Sequence, residues 1–303
     1  IEGTAASQTF YNVAIAKTAG TTLSVGGSTT ALTVNNLAQA TGDFTAPATL
    51  TINGSLVLSA GIFAAGATIN AAGNWTNNGG TFTPGTGTVN FNNTAAPQNI
   101  NGIAVTQTFN NIAVAKTAQA LSVGGDTATL NVNNITLASG TFAAGTAAAI
   151  NVTGNWTNTA GTFTPGAGTV TFSGSQTATI SGNTTFNNFI CVTAGKMLKF
   201  TAGSTQTISG AWTMTGVAGN PVSIVSTTSG TRWKVDPQNA RAITYTDVKD
   251  SDNINATDIT AGTGCLNSGN NLKWILGANP NFTWTAAASG NWNAGSNWQG
   301  GTA

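Results

Sequence analysis

The sequence predicts an all-β chain wound as a parallel β-solenoid, and three observations carry that reading. Residues 73–91 (GNWTNNGGTFTPGTGTVNF) and 154–172 (GNWTNTAGTFTPGAGTVTF) agree at 15 of 19 positions at an offset of 81. The chain is written in Thr, Val, Ile, Phe and Trp punctuated by Gly and Asn, without the periodic Leu, Glu, Lys or Gln runs of a long helix. The spacing between repeats changes by about one coil without disturbing the flanking pattern, which a stack of coils tolerates because its neighbours restack.

Inside each copy of the long repeat, short β-favouring pieces such as Thr81-Phe82-Thr83 and Thr88-Val89-Asn90-Phe91 are separated by Gly-rich or Pro-Gly turns. Alternation places Val89 and Phe91 on a buried face and Thr88 and Asn90 on a wet one. A second motif opens each module: Gln8 to Thr18 (QTFYNVAIAKT), Gln107 to Thr117 (QTFNNIAVAKT) and a shorter form at Thr185 to Ile190 (TFNNFI). The first two stand 99 apart, so module one holds 18 more residues than the offset of 81 allows. One lies in a turn, and 17 form the segment around Thr49-Leu50-Thr51-Ile52-Asn53-Gly54-Ser55-Leu56. Coils of roughly 17–22 residues follow, fourteen or fifteen over residues 1–276, in a rod about 70 Å long.

The modules are expected at residues 1–106, 107–185 and 186–276, with a Trp/Gly-rich tail at 277–303. The Asn-Asn pairs, among them Asn35-Asn36, Asn110-Asn111 and Asn187-Asn188, fall where inward strands end. Their amides are expected to form ladders at the corners. Asn-x-Thr triplets such as Asn74-Trp75-Thr76 match the glycosylation pattern, as chance allows in a chain this rich in both residues. Cys191 and Cys265 lie four or five coils apart, beyond disulfide reach, and are expected as buried free thiols or as a bridge between subunits.

Charge restricts function. Only 6% of residues are charged and the net charge is +1, so neither nucleic acid nor an anionic membrane is expected as a partner. No apolar run reaches the length of a membrane span, and Ile1-Glu2-Gly3-Thr4 has the look of the interior of a mature or excised segment. The chain has no histidine, and Glu2, Asp43 and Asp126 are the only acids in residues 1–231. Paired carboxylates for acid–base work therefore have one place to form: Arg232, Lys234, Asp236, Arg241, Asp247, Lys249, Asp250, Asp252 and Asp258. Asp247, Asp250 and Asp252 could offer oxygens to a Ca²⁺ ion on a turn, or cap their own backbone and pair with neighbouring cations. Thr-x-Thr pieces recur once per module, too rarely for the flat array that ice binding needs.

Several motifs resemble the modules of very large bacterial surface proteins. They are the two long repeats, the Phe-Asn-Asn anchors, the run Ala202 to Ile208 with Gly219-Asn220-Pro221-Val222, the segment Tyr245 to Ser251, and the tail from Trp284 to Gly300. Those proteins are similar to filamentous-haemagglutinin-like and autotransporter-like adhesins. The resemblance implies a right-handed parallel β-helix, an extracellular or bacterial cell-surface location, a structural or adhesive role and no reaction. The chain is accordingly expected to be non-enzymatic and to take no obligatory cofactor. Its expected partner is itself, through a head-to-tail fibre or a longer array of the same modules, with surface glycans as a second partner. Ile1 and Gly3 align with Ile100 and Gly102, so the first residues sit inside a coil and both ends are expected to be open edges. Ile1, Phe10, Trp284, Trp292 and Trp298 are the residues expected to join subunits. The alternative is a polysaccharide-binding or polysaccharide-cleaving β-helix acting through the charged group at 232–258.

Overall fold

The computed structural model describes residues 1–276 and two short strand segments, 283–284 and 298–299. Among the described residues there is no helix, and parallel strands stack into a β-solenoid of about twelve turns. Each turn contributes three strands, one to each of three faces.

On the first face, Val34, Ile52, Ala71, Phe91, Val114 and Leu137 lie in register from turn to turn. Leu37, Leu56, Trp75, Ile100 and Val123 do the same on the second face, and Leu23, Phe44, Phe63 and Phe82 on the third. The strands alternate in burial, so Val89 and Phe91 are inside while Thr88 and Asn90 are half-exposed. This alternation gives the rod one continuous apolar core between three polar faces.

The expected inserted coil is present as a whole turn: Thr49–Ile52, Leu56–Leu58 and Ile62–Ala64 supply one strand to each face. The turns are longer and fewer than the sequence suggests. They range from 15 residues (Ile259 to Trp274) to 29 (Trp212 to Arg241), most above 18, so twelve turns span what was expected of fourteen or fifteen. At one strand spacing per turn the rod is about 58 Å long. The extra residues leave the stack as loops at the corners, as at Gly216 to Pro221, where Val217 and Asn220 bridge antiparallel.

The long repeats do not mark the same rung. Trp75 stands on the second face between Leu56 and Ile100, whereas Trp156 stands on the first between Ile135 and Ile180. Three whole turns above the strand of Trp75 is the strand at residues 141–143, and Trp156 follows two faces later, so the module advances by three and two-thirds turns. The same one-face rotation recurs at the anchors, with Phe10 on the first face, Phe109 on the third and Phe186 on the second, although the inserted turn makes the first advance one turn longer. Successive modules are therefore rotated by one face.

The corners bear out the amide ladders. Asn134 Nδ2 donates to Asn111 Oδ1 at 2.7 Å, the Asn155 N–H donates to Asn134 Oδ1 at 2.7 Å, and the Thr179 N–H to Asn155 Oδ1 at 2.8 Å. Each ladder needs the residue above it to be small. A Cβ on Gly154 would lie 2.5 Å from Asn134 Oδ1, and one on Gly73 would run into the Gly54 backbone, which together explain the glycine two residues before each repeated Trp.

Candidate functional site

The module junctions concentrate the chemistry of this chain. At the first, Phe109 packs on Trp75 (centroids 5.1 Å apart) and on Phe82 (5.6 Å), both from the preceding module. At the second, Phe186 packs in the same way on Trp156 (5.1 Å) and Phe163 (6.0 Å). Trp156 Nε1 donates to Thr184 Oγ1 at 3.2 Å, while the indole N–H of Trp75 has no partner. The repeated Trp is thus a core residue that receives the next module.

Each junction also holds a buried lysine. After Thr88–Phe91 the chain makes a loop whose carbonyls turn inward, and Lys116 fills it from the following turn. Its Nζ donates to Asn93 O (2.8 Å), Ala96 O (3.1 Å) and Gln98 Oε1 (2.7 Å). The equivalent loop after Thr169–Phe172 is filled by Lys196, which donates to Thr153 O (2.9 Å), Ser173 O (2.7 Å) and Gln176 O (2.6 Å). Both lysines are fully buried, and three acceptors match the three hydrogens of an ammonium. Loss of hydration lowers the Lys116 pKa from 10.5 to about 8 and lowers that of Lys196 as well. Among the described residues no Asp or Glu accepts from either lysine, so these cations are held by main-chain carbonyls and, for Lys116, the Gln98 amide oxygen.

The charged end is arranged for structure. Asp247 projects from the first face and accepts from Ser268 Oγ at 2.6 Å. Asp250 is buried at the next corner with φ +53° and accepts from Asn270 Nδ2 at 2.6 Å. Asp252 projects from the second face beside Lys234. The three carboxylates thus belong to different sides of the turn, and among the described residues no group of three or more potential ligands is placed to hold a metal ion. Arg241 Nη2 donates to Pro237 O at 2.6 Å, Arg232 Nε to Asn270 O at 2.9 Å, and Asp236 Oδ1 accepts from Asn255 Nδ2 at 2.8 Å. Backbone and amide groups, more than opposite charges, hold this cluster. Cys191 and Cys265 are free and buried, and loss of hydration raises both thiol pKa values.

Of the residues expected to join subunits, Ile1 packs partly on the core and its ammonium donates to Ser24 O at 2.7 Å. Phe10 is 40% exposed, and Tyr11 beside it 78%. Trp284 and Trp298 pair in a short antiparallel contact, with nothing described of their side chains, and Trp292 lies outside the described residues. The buried lysines were missed by sequence reasoning. Their one signal is the recurrence of Ala-Lys-Thr at 16–18 and 115–117 in a chain with only nine lysines and arginines.

Comparison with family models, with curated proteins and with solved structures gives no match to this chain.

Proposed function

We propose that this chain is a non-enzymatic structural rod of the bacterial cell surface that associates head to tail into a fibre, or forms the stalk of an adhesin. The observation that carries the reading is the state of the two ends. Among the described residues, Ser7–Ala16 pairs only with Ala31–Thr41, and Leu266–Asn267 only with Asp247–Val248. Among the described residues each edge thus keeps a row of backbone N–H and C=O groups without a second strand, flanked by exposed Phe10 and Tyr11 at one end and Leu266, Leu272 and Ile275 at the other. An unprotected parallel edge is a template for another strand. Sedimentation velocity over a concentration series tests this: a ladder of species growing with concentration supports it, and a single monomer at all concentrations rejects it.

A second reading, glycan binding along the rod, is favoured by one recurrence. A groove of about 420 Å³ beside Phe109, Asn131, Asn133 and Asn151 has its counterpart of about 320 Å³ beside Phe10, Thr33, Asn35 and Asn53. Amides in a shallow repeated groove suit the hydroxyls of an extended polysaccharide. Binding to a glycan array, lost on Asn131→Ala with Asn151→Ala, tests it.

A further inference from the structure

The first turn carries the two contact residues of a module junction, and among the described residues no Trp or Phe stacks on that Phe and no carbonyl ring closes on that Lys. Phe10 and Lys17 occupy in QTFYNVAIAKT the positions that Phe109 and Lys116 occupy in QTFNNIAVAKT. The backbone beneath is the same. A Cβ on Gly42 would meet Lys17 Cβ at 2.7 Å, and one on Gly140 would meet Lys116 Cβ at 2.8 Å, and both glycines are left-handed (φ +75° and +76°). The Gly26 N–H donates to Ile1 O as Gly124 N–H does to Ile100 O, and Ser28 to Gly3 O as Asp126 to Gly102 O. What differs is the turn on the other side. Phe109 is 2% exposed against Trp75 and Phe82, whereas Phe10 is 40% exposed. Lys116 is enclosed by three acceptors, whereas Lys17 is exposed and donates to Thr22 O at 2.7 Å within its own loop.

We infer that the open face of the first turn is a specific receptor for the end of a module of this same repeat. Its occupant is a GNWT–TFTPG–TVxF segment with the loop that follows, which seats its Trp and Phe on Phe10 and closes its inward carbonyls around Lys17. Complementarity of charge supports this partner: an exposed ammonium with a single acceptor, Thr22 O, faces the side on which, one and two modules on, three converging oxygens take the same group. The aromatic pair supplies the apolar half of the contact. The inference goes beyond the fibre reading, because it specifies the sequence that fits this end and holds whether or not purified copies assemble.

Two variants test it in the full chain. In the first, a copy of residues 68–99 is placed directly before Ile1, so that its Asn99 meets Ile1 as Asn99 meets Ile100. Acetylation of Lys17 by an amine reagent, followed by mass spectrometry, should slow by at least about tenfold toward the rate of Lys116, with exposed Lys199 unchanged. The same extension carrying Trp75→Ala and Phe82→Ala in the copy should give little protection. Lys17 still reacting like Lys199 overturns the inference, as does an extension that adds no β signal in circular dichroism. The second variant needs no added chain: Asn110→Tyr, Ile112→Val and Val114→Ile write the first anchor into the junction at Phe109. Lys116 should stay as protected as in the parent, and its exposure there would equally overturn the inference.

Discussion

The first turn and the sixth use almost the same eleven residues and reach opposite states of burial. Phe10 and Lys17 face solvent, while Phe109 and Lys116 are sealed between turns. The difference teaches that in a solenoid a side chain's environment is set by the turn stacked on it, twenty or so residues away, and local sequence only prepares the fit. An ordinary globular core averages this dependence over many neighbours. A rod exposes it at its ends.

Substitutions at matched positions should separate the two sites. Phe109→Ala removes a ring packed on Trp75, Phe82 and Phe91, and should cost about 3–5 kcal/mol in denaturant unfolding. Phe10→Ala should cost about 1 kcal/mol or less, and equal losses would break the comparison. Lys116→Ala strands three inward acceptors and should cost about 2 kcal/mol, against nearly nothing for Lys17→Ala.

Protonation gives a smaller, signed effect. The folded pKa of Lys116 lies near 8 and its ordinary value is 10.5, so between these pH values the unfolded chain holds more protons at this group. Its contribution to stability should therefore rise with pH across that window and be flat below it. Subtracting the stability-versus-pH curve of Lys116→Met from that of the parent isolates the slope, and a difference falling with pH would contradict the desolvated lysine. The smallest expected effect concerns thiols: Cys191 and Cys265 should stay unreactive toward a disulfide reagent until the chain unfolds, because both are buried with raised pKa values. Prompt reaction of Cys265, the nearer to the far end, would show that the last turns open readily.

Much of this architecture was legible from residues alone. The alternation at Val89 and Phe91, the whole inserted turn at Thr49–Ile52 to Ile62–Ala64, and the amide ladders from Asn111 to Asn155 follow from period-two patterning and from repeat offsets. The rotation of modules was not legible, because a sequence offset counts residues and the turns differ in length from 15 to 29. That variation hides in corner loops which the stack does not feel. Lys116 and Lys196 were hidden for a different reason: five of their six acceptors are main-chain carbonyls, which every sequence has, and only the path of the loop makes them converge. Asp247, Asp250 and Asp252 mislead in the opposite direction. They are close in sequence, but a corner between them sends their side chains to different sides.

The central proposal is that the strand edges left without a second partner among the described residues make this rod a unit of a longer one. Electron microscopy of the purified chain at high concentration tests it most directly. The account expects unbranched filaments built from units about 58 Å long, joined end to end. A field of compact single particles, unchanged as concentration rises, would contradict it.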